Sequence, residues 1–100
     1  MKSAEKDTIY RAKMNLETSR IAWRELQRFF AIGAAIYVSS ELDLVEVAYQ
    51  VSEDNKAQVT AWMEAGQVAR VTDMQAQMWF DEDAEMWAVV VSPYVLVQPA

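Results

Sequence analysis

Residues 86–98, MWAVVVSPYVLVQ, constrain the fold more than any other stretch. A strand with one wet face alternates apolar and polar residues, whereas a strand covered on both faces reads as a continuous apolar run. MWAVVV is such a run, so it predicts a central strand with structure packed on each side. The Ser92–Pro93 step interrupts it, and YVLVQ resumes the β pattern. Two-residue hairpins favour positive φ, which proline cannot adopt. The segment therefore reads as one bent or bulged strand, or two strands meeting at a corner, rather than a tight hairpin. An apolar strand this late in the sequence also predicts an edge, paired either inside the chain's own sheet or with a second copy in a homodimer.

Such a strand needs helices to cover it, and the preceding residues supply them. Ile9, Ala12 and Leu16 recur at helical spacing and predict a first helix over residues 3–16. Thr18 or Ser19 could cap a second helix, IAWRELQRFFAIG, with Trp23, Leu26 and Phe30 on one stripe and Gly33 as its left-handed terminator. AIYVSS predicts a short strand with Ile36 and Val38 on one side. Ser40 and Asp43 suit a capping box, with a helix from Glu41 to Ser52 whose outer stripe is Asp43, Glu46, Gln50 and Glu53. A fourth helix follows Asp54 or Asn55, turns Val59, Trp62 and Met63 inward, and closes at Gly66. VARV is a second short strand, and Thr72 with Gln75 caps a short fifth helix. The whole predicts an α+β fold in a single domain spanning residues 1–100, with residues 1–20 at its periphery. Four to five helices pack on a small, mainly antiparallel sheet, and the order of elements in the middle is winged-helix-like.

The chain has no cysteine and no histidine. That excludes disulfides and thiolate metal sites, and it removes the usual general base at neutral pH. No catalytic motif, cofactor-binding motif or metal-ligand spacing is present, so the sequence predicts no catalytic residues, no cofactor and no metal. Asp81, Glu82, Asp83 and Glu85 form an acidic run, but it lacks the spaced ligands and central glycine of an EF-hand and reads as a solvated loop. No apolar run approaches the roughly 20 residues needed to span a bilayer. No apolar stretch follows Lys2 as in a signal peptide, so the expected location is cytoplasmic.

Charge is divided. Residues 1–28 hold seven bases and four acids, net +3, whereas residues 29–100 hold Lys56 and Arg70 against eleven acids, net −9. A duplex phosphate backbone would be repelled by the second part, so nucleic acid is an unlikely partner for the helix pair 41–66. Four tryptophans, four tyrosines and three phenylalanines are more rings than so short a chain can bury fully. Trp79, Phe80, Trp87, Tyr94 and Phe29 are therefore candidate interface residues, because tryptophan and other aromatics anchor partners. Asp43, Glu46, Glu53, Arg24 and Arg28 are the candidate charged surface.

NLETSRIAW, ELQRFFAIG, LDLVEVA, VTAWMEAGQVARV and WAVVVSPYVLVQ cover most of residues 15–98. Together they resemble a bacterial family designated domain of unknown function 2288. The resemblance implies a small soluble bacterial protein and transfers no reaction, ligand or site residue. The expected function is a protein-interaction or regulatory domain, acting on an unknown protein partner or as a homodimer. The alternative is a nucleic-acid-associated, winged-helix-like protein, with a carboxylate- or tyrosine-based enzyme third.

Overall fold

The computed structural model describes residues 8–13 and 17–100. Helix α1 is seen over residues 8–13. Strand β1 (Ser19–Ala22), a 3-10 turn (Trp23–Leu26), α2 (Gln27–Ala31) and β2 (Ala35–Val38) follow. Next come α3 (Leu44–Ser52), α4 (Lys56–Glu64), β3 (Val68–Arg70), α5 (Asp73–Asp81), β4 (Glu85–Val91) and β5 (Tyr94–Pro99). The fold is α+β, as the pattern predicts.

Among the described residues five strands form one sheet in the order β1-β4-β5-β2-β3, antiparallel except for the parallel β2–β5 pair. The apolar run explains itself in this frame. On β4, Met86 and Ala88 enter a core with Trp23, Leu26, Ala76 and Trp79 from the 3-10 turn and α5. Its Val89 and Val91 enter a second core on the opposite face, with Leu44, Val47 and Ala48 of α3. On β5, Val95 and Val97 serve the first core and Leu96 the second. The sheet is thus covered by helices on both faces, and alternation is lost because both sides are apolar.

Four expectations need correcting. Val91 pairs with Tyr94, so Ser92 and Pro93 are the loop of a tight hairpin, joined by a cis bond. A cis proline at the third position of a type VI turn closes a two-residue loop without positive φ. The late strand is not an edge: β5 is paired on both sides, so its backbone offers no seam for a second copy. The long second helix is broken up. Ser19–Ala22 pairs with Ala88–Glu85 as a strand, which removes Thr18 and Ser19 as caps, and Trp23–Leu26 is 3-10. Tertiary pairing overrides helical spacing there, with Ile21 packed on the first core and Trp23 wholly buried. Finally, α3 starts three residues late. Its N-cap is Asp43, whose carboxylate accepts from the amides of Val45 and Glu46, while Ser39–Leu42 makes a turn held by the side-chain amide of Gln98.

The helix ends follow one rule. Gly33, Asp54, Gly66 and Asp83 follow α2, α3, α4 and α5 respectively, each at positive φ. At each end two backbone bonds close the last turn, such as Ala34 N–H to Phe29 O and Ala84 N–H to Trp79 O. These are Schellman motifs, two with glycine and two with aspartate in the left-handed position.

Candidate functional site

α5 carries the largest departure from ordinary surface chemistry. Its start is fixed by the predicted capping box: Thr72 Oγ1 accepts from the Gln75 amide at 3.1 Å, and Gln75 Oε1 accepts from the Thr72 amide at 3.0 Å. Its inward side is Ala76 and Trp79, both buried in the first core. Successive helical residues turn by about 100°. Asp73, Gln77 and Asp81 therefore form an exposed polar ridge, with Met74 and Met78 on its outer side and Phe80 on the side nearer the core.

Both flanks are apolar and open. Met74 is 83% exposed and Met78 47%, while Phe80 is 39% exposed. On the Phe80 side a hollow of about 450 Å³ lies between α5 and α2, lined by Gln27, Phe30, Asp73, Ala76, Gln77 and Phe80. On the methionine side a shallower depression shares Asp73 and Gln77 with it and is bordered by Asp81 and Glu82. The ridge is polar and acidic, and Gln77 donates to Asp81 at 2.9 Å. Arg24 fixes the aromatic flank: its guanidinium lies 4.4 Å from the Phe80 ring centroid, donates to Phe80 O at 3.2 Å, and meets Asp83 at 3.5 Å. A helix with a buried core side and a second apolar surface around an acidic ridge can hold a chain that presents cations between apolar residues. Exposed methionines suit such a role because the thioether chain is flexible and polarizable.

The expected interface residues do not form one patch. Trp79 is only 5% exposed, so it is core and presents no surface: it packs edge-on against Trp23 at 5.1 Å. Phe80 is on the α5 flank. Trp87 is 40% exposed on the opposite sheet face, under Arg20, which also pairs with Glu85. Tyr94 stands at the hairpin end of β5. Phe29 is half-buried against the first core beneath Arg28, at 4.8 Å. Met63, expected inward on α4, is 56% exposed. Met74 and Met78 belong to no sequence motif, although their spacing opposite Ala76 and Trp79 is visible in DMQAQMWFD.

The expected charged surface is largely engaged. Asp43 caps α3, Glu46 pairs with Arg11 and accepts from Gln50, and Arg24 braces Phe80. Arg28 and Glu53 are exposed. On α4, Lys56 and Glu64 are both exposed, which leaves its solvent side without a basic stripe. In the acidic run, Asp81 ends α5 and Asp83 is the left-handed residue after it. Among the described residues no group of three or more acidic side chains converges on a metal position. Among them, too, no helix is long and apolar enough to cross a membrane.

The chain is similar to PA1075 from Pseudomonas aeruginosa, known from a solution NMR structure. The two are 44% identical, the match covers 87% of this chain and 81% of that one, and the TM-score is 0.79. No match was found among curated proteins. A family model described as "Protein of unknown function (DUF2288)" matches residues 9–99, and the chain belongs to that family.

Proposed function

We propose that the chain is a cytoplasmic protein-interaction domain without catalytic activity, and that the outer surface of α5 binds a basic amphipathic segment of a partner protein. The observation that carries this reading is the exposure of Met74 and Met78 beside the Asp73–Gln77–Asp81 ridge, on a helix whose other side already fills the core. Exposed apolar side chains scattered singly need no explanation, but Met74 and Met78 stand one turn apart on the same side of the ridge, and Phe80 borders its other side. Residues 29–100 carry net −9, which favours a cationic partner. Of the expected interface residues, Phe80 belongs to this surface, and Arg24 holds it in place.

The test is a titration of the isotope-labelled chain with a synthetic basic amphipathic helical peptide, followed by amide shifts. Saturable shifts confined to α5 and the α2 flank are expected, weakening as salt rises because the charged ridge is exposed. Burying even one methionine is worth about 1.5–3 kcal/mol, so Met74→Gln with Met78→Gln should weaken binding at least roughly tenfold. An acidic peptide of the same apolar pattern should not bind. Unchanged affinity in the double variant, or shifts centred on another surface, would refute the proposal.

A further inference from the structure

The opposite face of the sheet holds a second, different hollow. α4 lies over the second core, yet none of its side chains is fully buried. Val59 and Trp62 are half-buried, as are Val51 on α3 and Ile36 on β2. The helix therefore stands off the sheet and leaves a space of about 280 Å³, walled by Ile36, Val59, Met63 and Leu96 and bordered by Arg70 and Tyr94. Two further valines and Ala69 complete an otherwise apolar lining.

The polar groups are gathered at one end. Ile36 pairs with Arg70 on one side and Leu96 on the other, which places all three on the same face. The Arg70 guanidinium reaches back to Gly33, with Nη1 3.7 Å from where a Cβ would stand. Gly33 immediately precedes the β2 region, and Tyr94 opens the parallel strand β5, so the guanidinium and the phenol share the end of the sheet where both strands begin. Among the described residues neither Arg70 nor Tyr94 makes a side-chain hydrogen bond or ion pair, whereas Arg11, Arg20 and Arg24 are paired with carboxylates and Arg28 lies over the Phe29 ring. An arginine without a carboxylate partner, at the mouth of an apolar hollow, is locally complementary to an anion with an apolar tail, and this contact acts against the chain's net charge of −6.

We propose that this groove binds a small aliphatic carboxylate, a medium-chain fatty acid anion, with its head on Arg70 and Tyr94 and its tail between α4 and the sheet. The volume, about 280 Å³, falls just below the roughly 300–1,000 Å³ of small-molecule sites, which favours a short ligand over a long-chain lipid. The site is independent of α5, which packs on the other face.

The experiment is a titration of the full chain with octanoate, below its micellar range, followed by methyl and amide shifts. Saturable shifts at Ile36, Val59 and Leu96 are expected. 1-Octanol, which lacks the charge, should bind more weakly than octanoate. Arg70→Gln, at an exposed position, should keep the native spectrum and lose octanoate affinity roughly tenfold or more, as expected for a charge-assisted contact. Val59→Phe should fill the space and abolish binding; if that variant does not fold, the Arg70→Gln comparison decides alone. Three outcomes would overturn the proposal: no saturation, equal octanoate affinity in Arg70→Gln, or shifts at these methyls that follow protein concentration without ligand. The last would place a second copy of the chain in the groove.

Discussion

Replacing Trp23 by phenylalanine tests the first core at its centre. Trp23 is wholly buried. Its indole N–H donates to Ala76 O at 3.1 Å, and its ring meets Trp79 at 5.1 Å and Phe30 at 5.9 Å, both edge-on. Phenylalanine keeps a six-membered aromatic ring but removes the donor and the rest of the fused five-membered ring. The lost hydrogen bond is worth about 1 kcal/mol. A void on the order of 40 Å³ adds about 1 kcal/mol at ~24 cal/mol per Å³, and lost transfer energy raises the sum to about 2–3 kcal/mol. For a chain of this size that lowers Tm by roughly 10–20 °C. Urea unfolding followed by far-UV circular dichroism should show a lower midpoint with an unchanged slope. Trp87→Phe is the matched control, because that ring is 40% exposed, and it should change stability by no more than about 0.5 kcal/mol. If the two variants were equally stable, the joining of the 3-10 turn to α5 through Trp23 would not be what holds this face together.

Three other substitutions probe particular bonds. Thr72→Ala removes one half of the α5 capping box and should cost about 1 kcal/mol in urea unfolding. Gln98→Ala releases the carbonyls of Ser39 and Leu42, and should cost about 1–2 kcal/mol while amide exchange accelerates around residues 39–43. The helix ends give a pair of opposite sign. Gly33→Ala should lose about 1 kcal/mol from its φ of +75° alone, since the nearest atom to the new Cβ is at an ordinary 3.7 Å, whereas Asp54→Gly should gain about 0.5 kcal/mol. Thermal melts of both variants against the parent check the signs.

Where local chemistry decides, the sequence was readable. Gly33 and Gly66 end their helices, Asn55 caps α4, and Thr72 with Gln75 opens α5, because each needs only neighbours along the chain. The two-faced burial of β4 also followed from its composition. The misreadings arise where a distant segment decides. SRIA has helical spacing, but Glu85–Ala88 offers it a ladder, and no window around residue 20 can show that. Ser40 has the chemistry of an N-cap with Asp43 as its capping-box partner, yet Asp43 itself is the cap; Gln98, more than fifty residues away, secures the turn before α3. Asp54 has the chemistry of a helix cap and Asp83 sits in an acidic run, yet both terminate helices in the position that glycine more often takes. The candidate interface suffered most. Exposure is a tertiary property, so Trp79 and Phe80 are indistinguishable in sequence, while one is core and the other lines a hollow.

The place of β5 bears on the order in which the molecule can be assembled. As a ribosome delivers the chain from its N-terminus, β1 can meet β4 and β2 can meet β3, but these are two separate ladders with no strand in common. Tyr94–Pro99 emerges after all the other strands and slots between β4 and β2, joining both. Until then each half of the sheet has one bare side, and neither core is closed. Cooperative stability therefore comes only with the final strand, and a nascent chain stopped before Tyr94 is two unfinished fragments rather than a smaller version of the fold.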